Sequence, residues 1–209
     1  MRKTILIAGC DGKVGKTAAQ LFSDHGWNVI GIDIKEHSDA KADNFISLNI
    51  TDAETVAKAI DEVDRQTPIT ALLNTAGYEA GKAFEETSAY EWARLLETIL
   101  GGSGNLCKAV APKMAERKYG KIILISSDYS REPGEHVNDA VAANTFHGFA
   151  KSFGVEMASD NVLVNTLSVN TPFDLEKVAE TVFFLADKDT YTSAQVVSIT
   201  GMDQQEAER

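Results

Sequence analysis

The sequence contains few of the residues that mark a disulfide scaffold, a metalloprotein or a membrane protein. It has two cysteines, Cys10 and Cys107, with no spacing pattern, so we expect two reduced thiols and no disulfide. His136 and His147 are expected in a loop and on a helix surface, because no cysteine or carboxylate accompanies them at ligand spacing; no metal site is predicted. Every apolar run falls short of the roughly 18 residues that cross a bilayer.

Positive charge is also scarce. The chain has 20 lysines and arginines against 31 aspartates and glutamates, which gives a formal net charge of -11. Nucleic acids and anionic membranes are bound by basic surfaces that displace counterions, so we expect neither as a partner. The apolar segment from Thr4 to Ala8 is too short for a secretory or lipoprotein signal, which needs about 7 to 15 apolar residues. We therefore expect a cytoplasmic protein.

Apolar strands and helical segments alternate along the whole chain of 209 residues. This alternation is typical of right-handed βαβ crossovers, which place parallel strands in one sheet with helices on both faces. The sequence predicts an α/β fold: one Rossmann-type doubly wound domain with a seven-stranded parallel sheet over residues 1–203, and a polar tail at 204–209. The predicted strands are 3–8, 28–33, 45–48, 69–73, 121–126, 162–167 and 194–199. The predicted helices are 16–25, 53–65, 89–117, 139–158 and 174–186.

The stretch GCDGKVGKT, directly after the first predicted strand, is a candidate phosphate-binding turn. A P-loop ending in Gly15-Lys16-Thr17 would need glycine at position 10, where the chain has Cys10. A dinucleotide-binding turn needs a strand, a glycine turn, a helix and an acidic residue about 20 positions on. Asp33, at the end of the second predicted strand and 18 residues after Gly15, supplies that acid. The sequence therefore predicts a dinucleotide-binding fold.

Several short motifs resemble, in order and spacing, the short-chain dehydrogenase/reductase family. They are AGCDGKVG at 8–15, NITD at 49–52, NTAG at 74–77, ILISS at 123–127, VEMA at 155–158 and VNTL at 164–167. Together they extend over nearly the entire chain. The resemblance implies the Rossmann-type fold predicted above and a nicotinamide-dependent oxidoreductase chemistry.

The resemblance also implies a cofactor site. The glycines follow a G-x-x-G-x-x-G spacing, so Lys13 stands where the family usually has glycine; it either grips a phosphate or blocks the pyrophosphate. Asp33 favours NAD over NADP because a carboxylate repels a 2'-phosphate, unless it is only a solvated strand-end acid. Asn74 and Gly77 contact the adenosine ribose or only cap and turn the fourth strand, and Asn49 replaces the usual aspartate at the adenine edge. The implied NAD-binding residues are Gly9, Gly12, Gly15, Asp33, Asn74 and Gly77.

The reaction site departs from the family pattern. Family members use a tyrosine and, four residues later on the same helix, a lysine, together with an upstream serine and an asparagine on the preceding helix. Only the serine has a good match, Ser127, which is the candidate catalytic residue unless it merely bonds local backbone. Ungapped counting puts Asp139, Ala143 and Ile99 at the tyrosine, lysine and asparagine positions. The sequence has no tyrosine between residues 130 and 190.

Two further features weaken a catalytic interpretation. Tyr78 and Lys82 have Y-x-x-x-K spacing, but Gly77 and Gly81 place them in a predicted loop, where residues four apart need not face the same way. The connection SVNTPF at 168–173 is short, which predicts a truncated substrate lid. Lids exclude water and complete an active site, so we expect an open pocket.

The segment GGSGN at 101–105 places three glycines inside a predicted helix, at about 1 kcal/mol each relative to alanine. One explanation is close approach of another helix, because the resemblance implies a four-helix contact between subunits through 89–117 and 139–158. The other is a kinked or broken helix. We expect a hetero-oligomer with another short-chain dehydrogenase, or a homo-oligomer, through these helices.

These features predict a non-catalytic subunit that supports an active NAD-dependent short-chain dehydrogenase. The pattern is similar to the degenerate subunit type of heteromeric family members such as 2-(α-hydroxybenzyl)succinyl-CoA dehydrogenase. Two alternatives stay open. One is an NAD-dependent oxidoreductase with displaced catalytic groups, such as Ser127 with Tyr129 or Tyr78. The other is a nucleotide-sensing binding module.

Overall fold

In the computed structural model the chain forms one seven-stranded sheet with the strand order β3-β2-β1-β4-β5-β6-β7. All neighbouring strands are parallel, so the predicted doubly wound fold is confirmed. The order reverses between β1 and β4, which is where ligands bind in sheets of this type. The structure describes residues 2–77, 80–127, 137–170, 173–188 and 190–199. The strands are β1 Thr4–Ala8, β2 Asn28–Asp33, β3 Asn44–Ser47, β4 Ala71–Asn74, β5 Gly120–Ser127, β6 Val162–Val169 and β7 Gln195–Ile199.

Helices cover both faces of the sheet and enclose two apolar cores. On one face, α1 and α6 bury Phe22 and Val182; on the other, α2, α4 and α5 bury Ile60, Leu106 and Phe146. The helices are α1 Lys13–Asp24, α2 Ala53–Gln66, α3 Ala89–Leu96, α4 Gly102–Glu116, α5 Val137–Glu156 and α6 Leu175–Asp187. Because the sheet is covered on both sides, its central strands are buried and mostly apolar, as in β1, where every residue is buried and only Thr4 is polar.

Helix α1 begins at Lys13, three residues before the predicted start. Gly12 is its N-terminal cap, so Gly15, Lys16 and Thr17 lie within the helix and not in a phosphate loop. The other end is as predicted: Gly26 has φ +77°, the left-handed conformation that glycine adopts readily after a helix. The glycine turn is therefore confined to residues 9–12.

The region predicted as one helix over 89–117 is helical without interruption from residue 89 to 116, but it is not α-helical throughout. A π-helical segment, Glu97–Gly101, joins α3 to α4, so the helix is not broken there. Gly102 has a reason within the chain, because a Cβ there would lie 2.6 Å from side-chain atoms of Ile50. A Cβ on Gly104 would meet nothing within 4 Å. Close packing inside the chain thus explains Gly102 but not Gly104.

Both cysteine thiols are free and buried, as predicted. Burial raises the pKa of Cys107 to about 12. Within the described ranges no helix has the length and apolar character needed to span a bilayer. The same residues contain no cluster of three or more histidine, cysteine or acidic side chains arranged for a metal. The predicted boundary at 203 and the tail at 204–209 lie outside the described residues.

Candidate nucleotide cleft and adjoining cavity

A cleft of about 590 Å³ opens at the carboxyl ends of β1, β2 and β4, at the point where the strand order reverses. Its walls come from the glycine turn, the end of β2, the loop after β3, the loop after β4 and the α3 end of the π-helical segment. Among the residues predicted to bind a cofactor, Gly9, Gly12, Asp33 and Gly77 line it.

One glycine of the turn, Gly9, and one glycine of α1, Gly15, have no room for a side chain. Gly9 has φ +75°, and a Cβ there would lie 2.7 Å from Thr75 Oγ1 and 2.8 Å from the Ala76 nitrogen. A Cβ on Gly15 would lie 2.2 Å from the Gly9 carbonyl oxygen, so Gly15 holds α1 against the turn without itself lining the cleft. The backbone is thereby brought close to the space that a pyrophosphate would occupy.

The N-terminus of α1 also suits an anion. Gly12 has no side chain that could bond the first N–H groups of α1, and the first turn contains no acidic residue. These N–H groups and the helix dipole favour a phosphate at this place. Lys13 is exposed as the first helical residue and is not among the described residues that line the cleft, so neither role predicted for it is visible.

Asp33 is more than a solvated acid. Its carboxylate accepts hydrogen bonds from the Asp11 N–H at 3.1 Å and from the Lys35 N–H at 3.4 Å, while the residue also lines the cleft. The same side chain therefore braces the glycine turn and faces the position where the fold places a ribose.

Asp11 was not among the predicted site residues, but it lines the same end of the cleft. Burial alone would raise the pKa of Asp11; hydrogen bonds from the Ser38 hydroxyl and the Asp39 N–H, with Lys35 and Lys16 nearby, hold that pKa below its ordinary value. Asp11 is therefore a buried carboxylate that stays ionised. A lone acid inside a glycine turn carried no sequence pattern that could have identified it.

Asn74 serves the scaffold, in agreement with one of its two predicted roles. It is 1% exposed, accepts a hydrogen bond from the Ala76 N–H at 3.0 Å and donates one to Ser103 Oγ at 2.6 Å. It is absent from the described lining of the cleft. Asn49 does line the cleft, and its side chain accepts a hydrogen bond from the Thr51 N–H at 3.1 Å.

A second cavity of about 210 Å³ adjoins the cleft and shares Thr75, Ala76 and Gly77 with it. The positions that sequence comparison assigned to the family's reaction site converge there. Ile99 from the π-helical segment, Ser127 from the end of β5, and Asp139 and Ala143 from α5 all line it. These four residues therefore lie together in the fold.

The Asp139 carboxylate has structural partners. It is 3% exposed and accepts hydrogen bonds from the Ala80 N–H at 2.6 Å and the Gly81 N–H at 3.2 Å. The adjacent Asn138 donates to the Lys82 carbonyl at 3.2 Å and to Thr87 Oγ1 at 2.7 Å. We call residues 80–87 the clamped loop, because the start of α5 holds it at both ends.

The remaining predicted groups are dispersed. Lys82 forms an ion pair with Glu91 at 2.5 Å, and its proposed partner Tyr78 lies outside the described residues, as do Tyr129 and His136.

Ser127 is exposed at the mouth of the cavity, whereas Ser126 is buried and donates to the Ala143 carbonyl at 3.1 Å. His147 is half-buried on α5 rather than on an open helix surface. Five residues, 170–174, join β6 to α6, as the truncated lid predicts.

The two sites fit a dinucleotide unequally. The cleft has the close backbone approach, the open helix N-terminus and the strand-end carboxylate that an adenosine diphosphate moiety requires. The adjoining cavity offers a hydroxyl, a carboxylate already bonded to two N–H groups, and the apolar side chains of Ile99 and Ala143.

The chain is similar in sequence and in structure to known reductases and dehydrogenases. A 3-oxoacyl-[acyl-carrier-protein] reductase from Thermotoga maritima is 27% identical, with 95% of this chain and 96% of the relative covered. The oxidoreductase UcpA of Escherichia coli K12 is 31% identical over 81% of this chain and 70% of its own length. Among solved structures, an NAD+-bound xylitol dehydrogenase superposes with a TM-score of 0.88 at 18% identity, covering 96% of this chain and 98% of the other. A structure of ElxO with NADP bound gives 0.86 at 20% identity, covering 95% and 97%.

The family model described as short chain dehydrogenase matches residues 3–174, which include the glycine turn, Asp33, Ser127 and the whole of α5. The match spans both the cleft and the adjoining cavity. The chain belongs to the short-chain dehydrogenase family of oxidoreductases.

Proposed function

We propose that this chain is a non-catalytic subunit that binds NAD in its cleft and supports an active NAD-dependent short-chain dehydrogenase. One observation carries the proposal: in the cavity beside Ser127, positions 99, 139 and 143 supply an alkyl group, a carboxylate bonded to backbone and a methyl group. Proton transfer to a carbonyl oxygen needs a group that can give up or take a proton near neutral pH. Neither Ile99 nor Ala143 has such a group.

The Asp139 carboxylate is a poor substitute for a phenol. It already accepts two backbone hydrogen bonds, and moving it toward a substrate would break its bonds to the N–H groups of half-buried Ala80 and exposed Gly81. A typical intramolecular hydrogen bond contributes about 0.5–1.5 kcal/mol. The Asp139 carboxylate is therefore better suited to holding the clamped loop than to donating a proton.

The nucleotide part of the proposal rests on the glycine turn and Asp33. Both are bound into the fold by contacts that a side chain or a shifted loop would break. When bound, NAD would supply hydride acceptance; the role of the described residues is to hold its adenosine diphosphate half. A nucleotide held in a subunit without an acid would order the cleft and stabilise the fold by linkage.

A partner surface is available on the π-helical segment Glu97–Gly101 and on α5. Leu100 and Val141 are 36% and 44% exposed, and Gly101 and Gly148 are exposed without side chains. From residue 137 to 150 the only charged side chain of α5 is the buried Asp139. An uncharged helical face with small residues allows another helix to approach closely, and interface cores are depleted in charge. We propose that this face receives the same two helices of a catalytic subunit.

The test combines turnover with assembly. The purified chain should show no NAD reduction or NADH oxidation with alcohols and ketones, and Ser127→Ala should change nothing. Hydride transfer that disappears in Ser127→Ala would reject the proposal. Co-expression with a short-chain dehydrogenase that has intact serine, tyrosine and lysine should give a stable complex, and Gly148→Trp on α5 should prevent it while leaving the fold intact.

A second candidate is an oxidoreductase active by itself. It is favoured by the likeness to the Thermotoga maritima reductase over 95% of the chain and by the position of Ser127 at the mouth of the cavity. This candidate requires an acid from outside positions 99, 139 and 143. It predicts measurable reduction of a 3-oxoacyl substrate by the isolated chain, with a rate that falls in Ser127→Ala but is insensitive to Gly148→Trp.

A further inference from the structure

The ribose end of the cleft contains two carboxylates and two lysines in one network. Asp33 accepts the Asp11 N–H at 3.1 Å, so the two acids are adjacent in the fold. The Asp11 side chain is only 3% exposed, and its oxygens lie 3.4 Å from Lys35 Nζ and 3.7 Å from Lys16 Nζ. Lys35 is therefore paired with Asp11, and Lys16 is shared between Asp11 and Asp39, whose Oδ2 lies 3.6 Å from Lys16 Nζ.

The same carboxylate fixes the loop that follows β2. The Ser38 hydroxyl donates to it at 2.9 Å, and the Asp39 N–H donates to it at 3.2 Å. Lys35 also lines the cleft, and its own N–H is bonded to Asp33. Loop 35–39 is thus held in place by Asp11 on one side and by Asp33 at its start.

The two carboxylates have different consequences for a nucleotide. Asp33 faces the ribose and can bond its hydroxyls directly. Asp11 acts through charge. It neutralises Lys16 and Lys35, which would otherwise attract a phosphate on the ribose. It also adds a second negative charge next to that of Asp33. In a partly buried site such charges are poorly screened, so their effect on an incoming phosphate is large.

We propose that Asp11 is a second selectivity residue of the cleft, which excludes adenine nucleotides bearing a 2'-phosphate by keeping Lys16 and Lys35 occupied. The inference rests on the proposed NAD binding and concerns how that site rejects a related ligand. This role of Asp11 requires no displacement of Asp33. It implies that Lys35 could bind a phosphate once Asp11 no longer pairs with it.

The experiment measures dissociation constants for NAD and NADP by calorimetry. The wild type should bind NAD at least about tenfold more tightly than NADP, which corresponds to about 1.4 kcal/mol. Asp11→Asn should bind NADP about tenfold more tightly than the wild type does and NAD within about threefold. Lys35→Met in the Asp11→Asn background should abolish the gain. Glu36→Gln removes one exposed negative charge from the same loop and should change either constant less than about twofold.

The outcomes are distinct. Equal affinity of the wild type for NAD and NADP overturns the inference. An unchanged dissociation constant for NADP in a folded Asp11→Asn also overturns it. So does a similar gain in NADP affinity in Glu36→Gln. If Asp11→Asn fails to fold by circular dichroism, Asp11→Ser retains a hydroxyl for Ser38 and Asp39 and provides the same comparison. If neither nucleotide binds any variant, NAD binding itself is rejected; if NAD binds but NADP binding is never gained, only the role of Asp11 is rejected.

Discussion

The cleft and the adjoining cavity lie at the same edge of one sheet, but they are constrained in different ways. In the cleft, backbone atoms fill the space around Gly9 and Gly15, so these positions are fixed by the fold itself. In the cavity, the fold determines where Ile99, Asp139 and Ala143 lie. Their side chains are buried, those of Asp139 and Ala143 on α5 and that of Ile99 on the π-helical segment. The comparison shows two kinds of constraint: steric exclusion by neighbouring backbone at the glycines, and side-chain packing and hydrogen bonding in the cavity.

The largest expected effect tests the constraint on the glycine turn. Gly15→Ala should destabilise the protein by at least about 3 kcal/mol, because the new Cβ would lie 2.2 Å from a backbone oxygen that cannot move alone. The matched control is Gly148→Ala in α5, where a Cβ meets nothing within 4 Å and should stabilise by about 0.5–1 kcal/mol. Urea unfolding midpoints measure both. Equal effects at the two positions would remove the distinction between the two regions.

Asp139→Ala should cost about 1–3 kcal/mol, because it removes two hydrogen bonds, those from the N–H groups of half-buried Ala80 and exposed Gly81. Asp139→Asn, which keeps one acceptor oxygen, should cost less. Limited proteolysis should cut the clamped loop faster in Asp139→Ala, while the increase in Tm that NAD produces stays the same. A variant of unchanged stability that lost a measurable activity would instead make Asp139 a reaction group.

Gly102 and Gly104 sharpen the comparison within one helix. Gly102→Ala would press on Ile50, which lines the cleft, and should cost about 1 kcal/mol and weaken NAD binding. Gly104→Ala, in open space, should stabilise the isolated chain by about 0.5–1 kcal/mol and leave NAD binding unchanged. Thermal unfolding with and without NAD distinguishes the two. An NAD effect of Gly104→Ala equal to that of Gly102→Ala would contradict the assignment of Ile50 to the cleft.

The smallest effect is a pH dependence. The hydrogen bond from Lys82, followed by those from Ser88, lowers the pKa of Glu91 from 4.5 to about 2. Because the folded-state pKa is the lower one, the stabilisation by Glu91 is complete above about pH 4.5 and is lost as the pH falls to about 2. Glu91→Gln should therefore lower the Tm by about 1–2 °C at pH 7 and not at pH 2.

Asp11 should show the same sign. Burial alone would raise its pKa, but hydrogen bonds from Ser38 and the Asp39 N–H, with Lys35 and Lys16 nearby, hold that pKa below its ordinary value. The Tm difference between wild type and Asp11→Asn should be greatest near neutral pH and shrink below the ordinary carboxyl pKa of about 3.9. A difference that grew on acidification would contradict the ionised state of Asp11.

Much of the fold could be predicted because its signals are local. The run NVIGID marked β2 over residues 28–33, and Gly26 marked the end of α1. The helical region over 89–117 was also predicted, but its π-helical segment at Glu97–Gly101 was not. The residues that follow this segment contact residues distant in the sequence: Gly102 packs on Ile50, Ser103 bonds Asn74, and Asn105 donates to the Ile50 carbonyl. Such contacts have no sequence period.

The candidate site was predictable where it followed family spacing. Counting along the chain placed Ile99, Asp139 and Ala143 at positions that share one cavity with Ser127. Asp11 was missed because its partners Ser38 and Asp39 come from a loop whose course the sequence does not reveal. The role of Asp139 was missed for the same reason, since its hydrogen bonds reach residues about sixty positions away.

The hydrogen bonds of Asp139 join the start of α5 to a loop about sixty residues earlier in the chain. A substitution at position 139, including one that placed a phenol there, would therefore also release one end of the loop at 80–87. The order of that loop and the chemistry of the cavity cannot be changed separately at this position.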